Sequence, residues 1–273
     1  MNRSAVDSLK RRSPIHFYPR RRRYNSRCVP VTNGTQHDEI LAALVRNGIV
    51  VLPTYLDSDA TATILEELVP ALFRLRDGEK LEGARATSYP EYACFHLDEV
   101  ERHASSSRIF SDDPLILSVA SAYGGGRGVP FNTRAELRSG PLKNELVDDL
   151  HADTWMFRFK AMLYLTDVTG DTAPFRYLVG SHRDEYWKFG RFVYDFLGAT
   201  FQGSPRVERF RLGQASRRYE DPRFERMLCT GAAGTVILFD ARGVHSGTTL
   251  RHGQRMVLNC TFVLDEEAVT ARG

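Results

Sequence analysis

The pattern of apolar and polar positions changes near Gly128. Before it, apolar residues recur at helical spacing. HDEILAALVRN (37–47) has an apolar face and stops at Gly48, which predicts a helix with a glycine end. IVVLP (49–53) follows as a short buried strand. Asp57 or Ser58 can cap a second helix running to about Arg76, with Ile64, Leu65, Leu68, Val69, Leu72 and Leu75 on one stripe. Pro70 lies inside it and predicts a kink. Residues 114–123 read as a third helix, ended by Gly124–Gly126.

After Gly128 the period becomes that of strands, over 131–138, 154–166, 174–179, 234–240, 244–250 and 255–263. In FRFKAMLYL (157–165), Arg158, Lys160, Met162 and Tyr164 share one face, and Phe157, Phe159, Ala161, Leu163 and Leu165 the other. An aromatic-rich, helical insert at about 184–230 interrupts the strands. These elements describe a mainly β protein with flanking helices, packed on a sandwich or barrel. The expected organisation is a basic, flexible tail (1–35) and a single domain (36–273). That domain has a helical support region (36–128) and a β core (129–265) carrying the insert.

Charge sharpens this division. The chain of 273 residues has net charge +3, from 37 basic and 34 acidic side chains. Residues 1–30 hold nine basic groups and one acid, so they sum to +8 and leave the body at −5. A nucleic-acid reading would rest on the tail alone, so no such partner is expected. Four cysteines form no CxxC pair, which suits reduced thiols in the cytoplasm. No apolar run approaches the length of a membrane span, and the N-terminus lacks a secretory apolar stretch.

The sharpest chemical signal is His151-Ala152-Asp153. In a strand, residues i and i+2 point to the same side, so an imidazole and a carboxylate converge. Two His and one carboxylate on one face of an octahedron leave open positions, the arrangement of non-heme Fe(II) oxygenases. With eight His in the chain, several could be the third ligand. His245 stands out because GTVILFDARGVHSG places it just after a strand, ten residues before Arg255. An Arg beside a buried pocket suits a bidentate grip on a carboxylate. A second HxD, His96-Leu97-Asp98, sits in a charged stretch and reads as surface structure. His182 reads as a structural hydrogen-bonding residue.

Taken together, HAD, the strand after it, LTDVTGDTAPFRYLVGSH, GTVILFDARGVHSG with its downstream Arg, and RNGIVVLPTYLDSDATATILEEL (46–68) resemble the phytanoyl-CoA dioxygenase family of Fe(II)/2-oxoglutarate-dependent oxygenases. The resemblance spans roughly residues 38–264. It implies a double-stranded β-helix, a cupin-like jelly-roll. It implies iron held by His151, Asp153 and His245, with Arg255 pairing the distal carboxylate of 2-oxoglutarate. O2 is the other cosubstrate, and succinate and CO2 are released. The chain departs from the family at Thr172-Ala173, where Asn-Gly is usual, and at Val179-Gly180-Ser181-His182, where Pro-Gly-Ser-His is usual. In related halogenases a small residue replaces the carboxylate, so Asp153 argues for hydroxylation; desaturation, epoxidation or ring formation use the same triad.

Around that centre, Lys160, Met162 and Tyr164 on the strand after HAD, and Ser246 and Thr248 after His245, are candidates to touch 2-oxoglutarate. Arg134, Glu136 and Arg138 alternate on the preceding strand and can face the pocket in the same way; Arg134, Arg138, Trp155 and Trp187 are candidates for substrate. The insert is expected to form the substrate lid. The reading is a small-molecule hydroxylase of secondary metabolism, that is, a biosynthetic enzyme. The alternatives are the same chemistry on a macromolecule, or a non-catalytic jelly-roll binding protein.

Overall fold

The computed structural model describes residues 36–81, 85–89, 93–140, 150–153, 158–183, 210–211 and 224–265. The tail, most of the insert, Trp155 and Trp187 lie outside the described residues. Helix α1 (Gln36–Asn47) leads into strand β1 (Ile49–Leu52), and α2 is Ser58–Arg76. Strands β2 (Ala86–Tyr89) and β3 (Cys94–Asp98) precede α3 (Pro114–Gly124). Then come β4 (Gly128–Ser139), β5 (His151–Ala152), β6 (Phe159–Tyr164), β7 (Phe175–Leu178), β8 (Phe210–Arg211), β9 (Arg226–Cys229), β10 (Val236–Asp240), β11 (His245–Gly247) and β12 (Gln254–Leu264).

The strands form two antiparallel sheets, ordered β1-β10-β6-β12-β4-β3-β2 and β8-β5-β11-β7-β9. Strands β4–β7 and β9–β12 alternate between the sheets as a jelly-roll. Strands β1–β3 widen the larger sheet, so the region 36–128 supplies strands as well as helices.

Local signals explain the helices. Asp57 accepts from the Ala60 amide at 2.8 Å and caps α2. Asp113 does the same for Ile116 at 2.9 Å, with Pro114 in the first turn of α3. Helix α2 continues through Pro70. Gly48 ends α1 at φ +77, and a Cβ there would lie 2.3 Å from His182 Nδ1. His182 is fully buried and donates from Nε2 to the Val45 carbonyl at 3.2 Å.

The helices pack Ile40, Leu44, Ile64, Leu68, Leu72, Ile116 and Val119 against the outer face of the larger sheet. Each such side chain contributes about 1.5–3 kcal/mol by burial. Because helices cover one face and the smaller sheet the other, β6 is apolar on both faces for most of its length. Phe159, Ala161 and Leu163 meet the helices. Met162 and Tyr164 join a second core between the sheets, with Phe175, Tyr177, Ile237, Phe239 and Val257. The face that carries Lys160 therefore points inward.

One expectation is corrected here. His96-Leu97-Asp98 is not surface structure but the end of β3, paired with β4 in register His96↔Glu136 and Asp98↔Arg134. Leu97 fills the helix-side core, so alternation turns His96 and Asp98 inward, each with a side chain only 13% exposed.

Candidate metal centre

His151 on β5 stands opposite His245 on β11 in register, with ring centroids 4.6 Å apart. Asp153 follows β5 by one residue. Its Oδ1 lies 3.4 Å from His151 Nε2 and 3.8 Å from His245 Nε2. One ligand atom from each residue falls within 4.8 Å of the other two, a group able to hold a metal ion.

The groups carry suitable protonation states. His245 Nδ1 donates to the Gly243 carbonyl at 2.8 Å, which leaves the Nε2 lone pair toward the centre. Burial, then the neighbouring His151, push the His245 pKa down to about 3, so the ring is neutral. Phe239, Phe175 and Tyr177 enclose that ring at 5.3, 5.6 and 6.3 Å. Burial alone would raise the Asp153 carboxyl. Lys160 and the two His outweigh it and hold the group well below the usual carboxylate range.

The turn after β10 places two of the three groups. Asp240, fully buried, accepts from Arg242 Nε at 2.8 Å and from Tyr123 Oη at 2.7 Å. Tyr177 Oη donates to the Asp240 carbonyl at 2.9 Å. The Asp153 amide donates to the Ala241 carbonyl at 3.0 Å. A Cβ on Gly243 would lie 1.9 Å from Tyr177 Oη, so only glycine fits.

A charged cluster lies at the other end of the inter-sheet space. Arg255, 2% exposed, donates to Glu136 and to the Ala173 carbonyl, and its buried Nε has no partner among the described residues. Arg138 Nε donates to Glu136 at 2.9 Å. Burial would raise the Glu136 carboxyl, but Arg255, Arg138 and His96 hold it well below the usual range. Burial would lower His96; its contacts to Cys94 and Glu136 prevail and push it up to about 9. Cys94, His96 and Glu136 also bring three metal-capable atoms together. Two guanidiniums on the same carboxylate oppose a cation there.

Of the sequence candidates, His151, Asp153 and His245 come together. Lys160 reaches Asp153 Oδ2 from the facing sheet. Met162 packs in the inter-sheet core, and Tyr164 Oη donates to the Cys229 carbonyl at 2.8 Å. Ser246 is also corrected. Alternation puts it on the face opposite His245, where its Oγ accepts from Arg176 Nε at 2.7 Å. Thr248 Oγ1 is turned to the Pro174 carbonyl at 2.8 Å. Arg134 pairs with Asp98 at 2.6 Å. Arg138 belongs with Arg255, its Nη2 lying 3.1 Å from where a Cβ on Gly247 would stand.

Sequence reasoning read His96 as surface, put Glu136 on a pocket-facing strand without its partners, and missed Asp240 and Arg242. The DAR within the His245 motif was the available signal for the last two. The others depend on strand pairing across the sheet.

The family model of phytanoyl-CoA dioxygenase (PhyH) matches residues 44–256. No curated protein sequence matches the chain. Several solved structures share its fold. The non-heme alpha ketoglutarate dependent epimerase SnoN from nogalamycin biosynthesis, in complex with Fe3+, alpha ketoglutarate and nogalamycin RO, is 18% identical, with TM-score 0.59 over 84% of this chain and 83% of that one. The carbocyclase SnoK from nogalamycin biosynthesis is 15% identical, with TM-score 0.61 over 88% and 91%. EctD from S. alaskensis, with 2-oxoglutarate and 5-hydroxyectoine, is 19% identical, with TM-score 0.58 over 87% and 78%.

Proposed function

Because the chain belongs to the phytanoyl-CoA dioxygenase (PhyH) family, we propose that it is an Fe(II)/2-oxoglutarate-dependent dioxygenase that hydroxylates an unactivated carbon of a small molecule. The observation that carries this reading is the convergence of two imidazoles and one carboxylate on a single point. The donor set fits iron(II): His245 offers a neutral Nε2, and Asp153 an ionised oxygen. His151, Asp153 and His245 would hold the ion. Bound there, iron would supply O2 activation coupled to the oxidation of 2-oxoglutarate to succinate and CO2, with the second oxygen atom going to substrate.

The chain's own residues do the rest. Arg255 and Arg138 place two buried guanidiniums against one carboxylate, so the cluster keeps an excess of positive charge. That excess suits the distal carboxylate of 2-oxoglutarate, with Arg255 as its principal partner. The Asp240–Arg242 pair orients His245 through Gly243. Phe175, Tyr177 and Phe239 keep water from the back of the centre. Asp153 fills the position that a halide would need, which favours hydroxylation.

A small-molecule substrate is supported by the solved relatives, one bound to nogalamycin RO and one to 5-hydroxyectoine. The epimerase and carbocyclase among them share the fold, so the outcome here depends on how substrate is posed. Among the described residues no helix is long and apolar enough to cross a membrane.

The test is anaerobic loading with Fe(II), then addition of O2 and 2-oxoglutarate with a panel of small metabolites. Succinate and CO2 should form with the wild type and be lost in His245→Ala. Absence of iron binding by the wild type would overturn the reading.

A further inference from the structure

We propose that Lys160 is a positioning residue that holds Asp153 as a one-oxygen metal ligand. The inference rests on the iron reading above and assigns the two carboxylate oxygens different tasks. Oδ1 faces His151 Nε2 and His245 Nε2. Oδ2 points the other way and accepts from the Lys160 ammonium. The two residues come from opposite sheets, so the contact exists only because the sheets face each other.

Ordinary stabilisation explains this contact poorly. Lys160 lies on the inner face of β6, opposite Phe239 on β10 and Thr261 on β12, and its side chain is only 21% exposed. Taking an ammonium and a carboxylate out of water offsets much of their attraction, so a mostly buried pair is weak evidence for a stability role. A coordination role accounts for it better. An octahedral ion has six positions, of which two His and one carboxylate oxygen take three. 2-Oxoglutarate and O2 would need the remaining positions. Were Oδ2 to bind the metal as well, it would compete with them. The ammonium occupies Oδ2 and keeps it away.

Lys160→Met, Lys160→Arg and wild type can be compared anaerobically with three probes. These are Co(II) affinity by calorimetry, visible absorption of the Fe(II)–2-oxoglutarate chelate, and binding of nitric oxide, a stand-in for O2, to that chelate by EPR. In Lys160→Met, Co(II) should bind within about threefold of wild type or more tightly, and nitric oxide about tenfold more weakly. Lys160→Arg should restore nitric oxide binding. If Lys160→Met does not fold, Lys160→Leu, a neutral side chain with no donor for Oδ2, serves instead with the same expected weakening. Wild-type nitric oxide affinity in the neutral variant overturns the inference alone. A wild type that binds neither iron nor 2-oxoglutarate overturns the functional reading and this inference with it.

Discussion

The Arg255 guanidinium donates to the Glu136 carboxylate on the neighbouring strand, between the two sheets. The residue expected to grip a cosubstrate thus already has an anionic partner. Arg138 shares that partner, so one carboxylate serves two guanidiniums.

Arg255→Met should weaken 2-oxoglutarate binding by about 100-fold, since charge-assisted hydrogen bonds contribute roughly 1.5–3 kcal/mol. Fe(II) affinity should change little, because Arg255 is no part of the triad. Arg255→Lys should rescue poorly, for an ammonium cannot present the paired N–H groups. Anaerobic titrations with the metal and with 2-oxoglutarate separate the two effects.

Glu136→Gln removes the counter-charge of two buried guanidiniums. Breaking such a pair costs about 3–5 kcal/mol. Urea denaturation should show this loss. Because 2-oxoglutarate would return a carboxylate to the cluster, it should raise Tm more in the variant than in the wild type. An equal rise in both would count against the shared-anion account.

Asp240→Asn should also destabilise by several kcal/mol, since Arg242 would be left buried without its anion. This site has a second consequence, because the same turn bonds His245 Nδ1 and the Asp153 amide. Metal affinity should therefore fall by 10-fold or more, a typical cost of losing an outer-shell partner. Calorimetry on folded variant measures it directly.

Two histidines set opposite arms of the stability profile in metal-free protein. His96 is raised from 6.5 to about 9. Its contribution is present below pH 6.5 and is lost as pH climbs toward 9. His245 is lowered from 6.5 to about 3, so the unfolded chain takes up a proton that the folded ring refuses. Stability should fall as pH drops below 6.5. Each arm has a slope of at most about 1.4 kcal/mol per pH unit. His96→Gln should flatten the alkaline arm, and His245→Gln the arm between pH 6.5 and 5, in urea titrations.

The helices were legible because their signals are local. Gly48, Asp57 and Gly124–Gly126 act within a few residues of themselves. The inner face of β6 was harder to read. Its alternation defines two faces, yet both are covered, one by helices and one by the second sheet, so hydrophobicity does not say which one holds a site. The HxD at 96–98 was misread for a related reason. Its charges look like surface in isolation, and only the partners Glu136 and Arg134 on β4 make an inward position tolerable.

By itself, then, the sequence determined the periodicities, the same-side placement of His151 and Asp153, and the family whose motif set includes His245 and Arg255. Only the tertiary structure decided that Glu136 sits on Arg255, that Lys160 takes the far oxygen of Asp153, and that Ser246 turns outward. The reason is that these are contacts between strands distant in the chain or on facing sheets. Their register depends on the pairing of whole strands, and a shift of one residue would send every side chain to the other face.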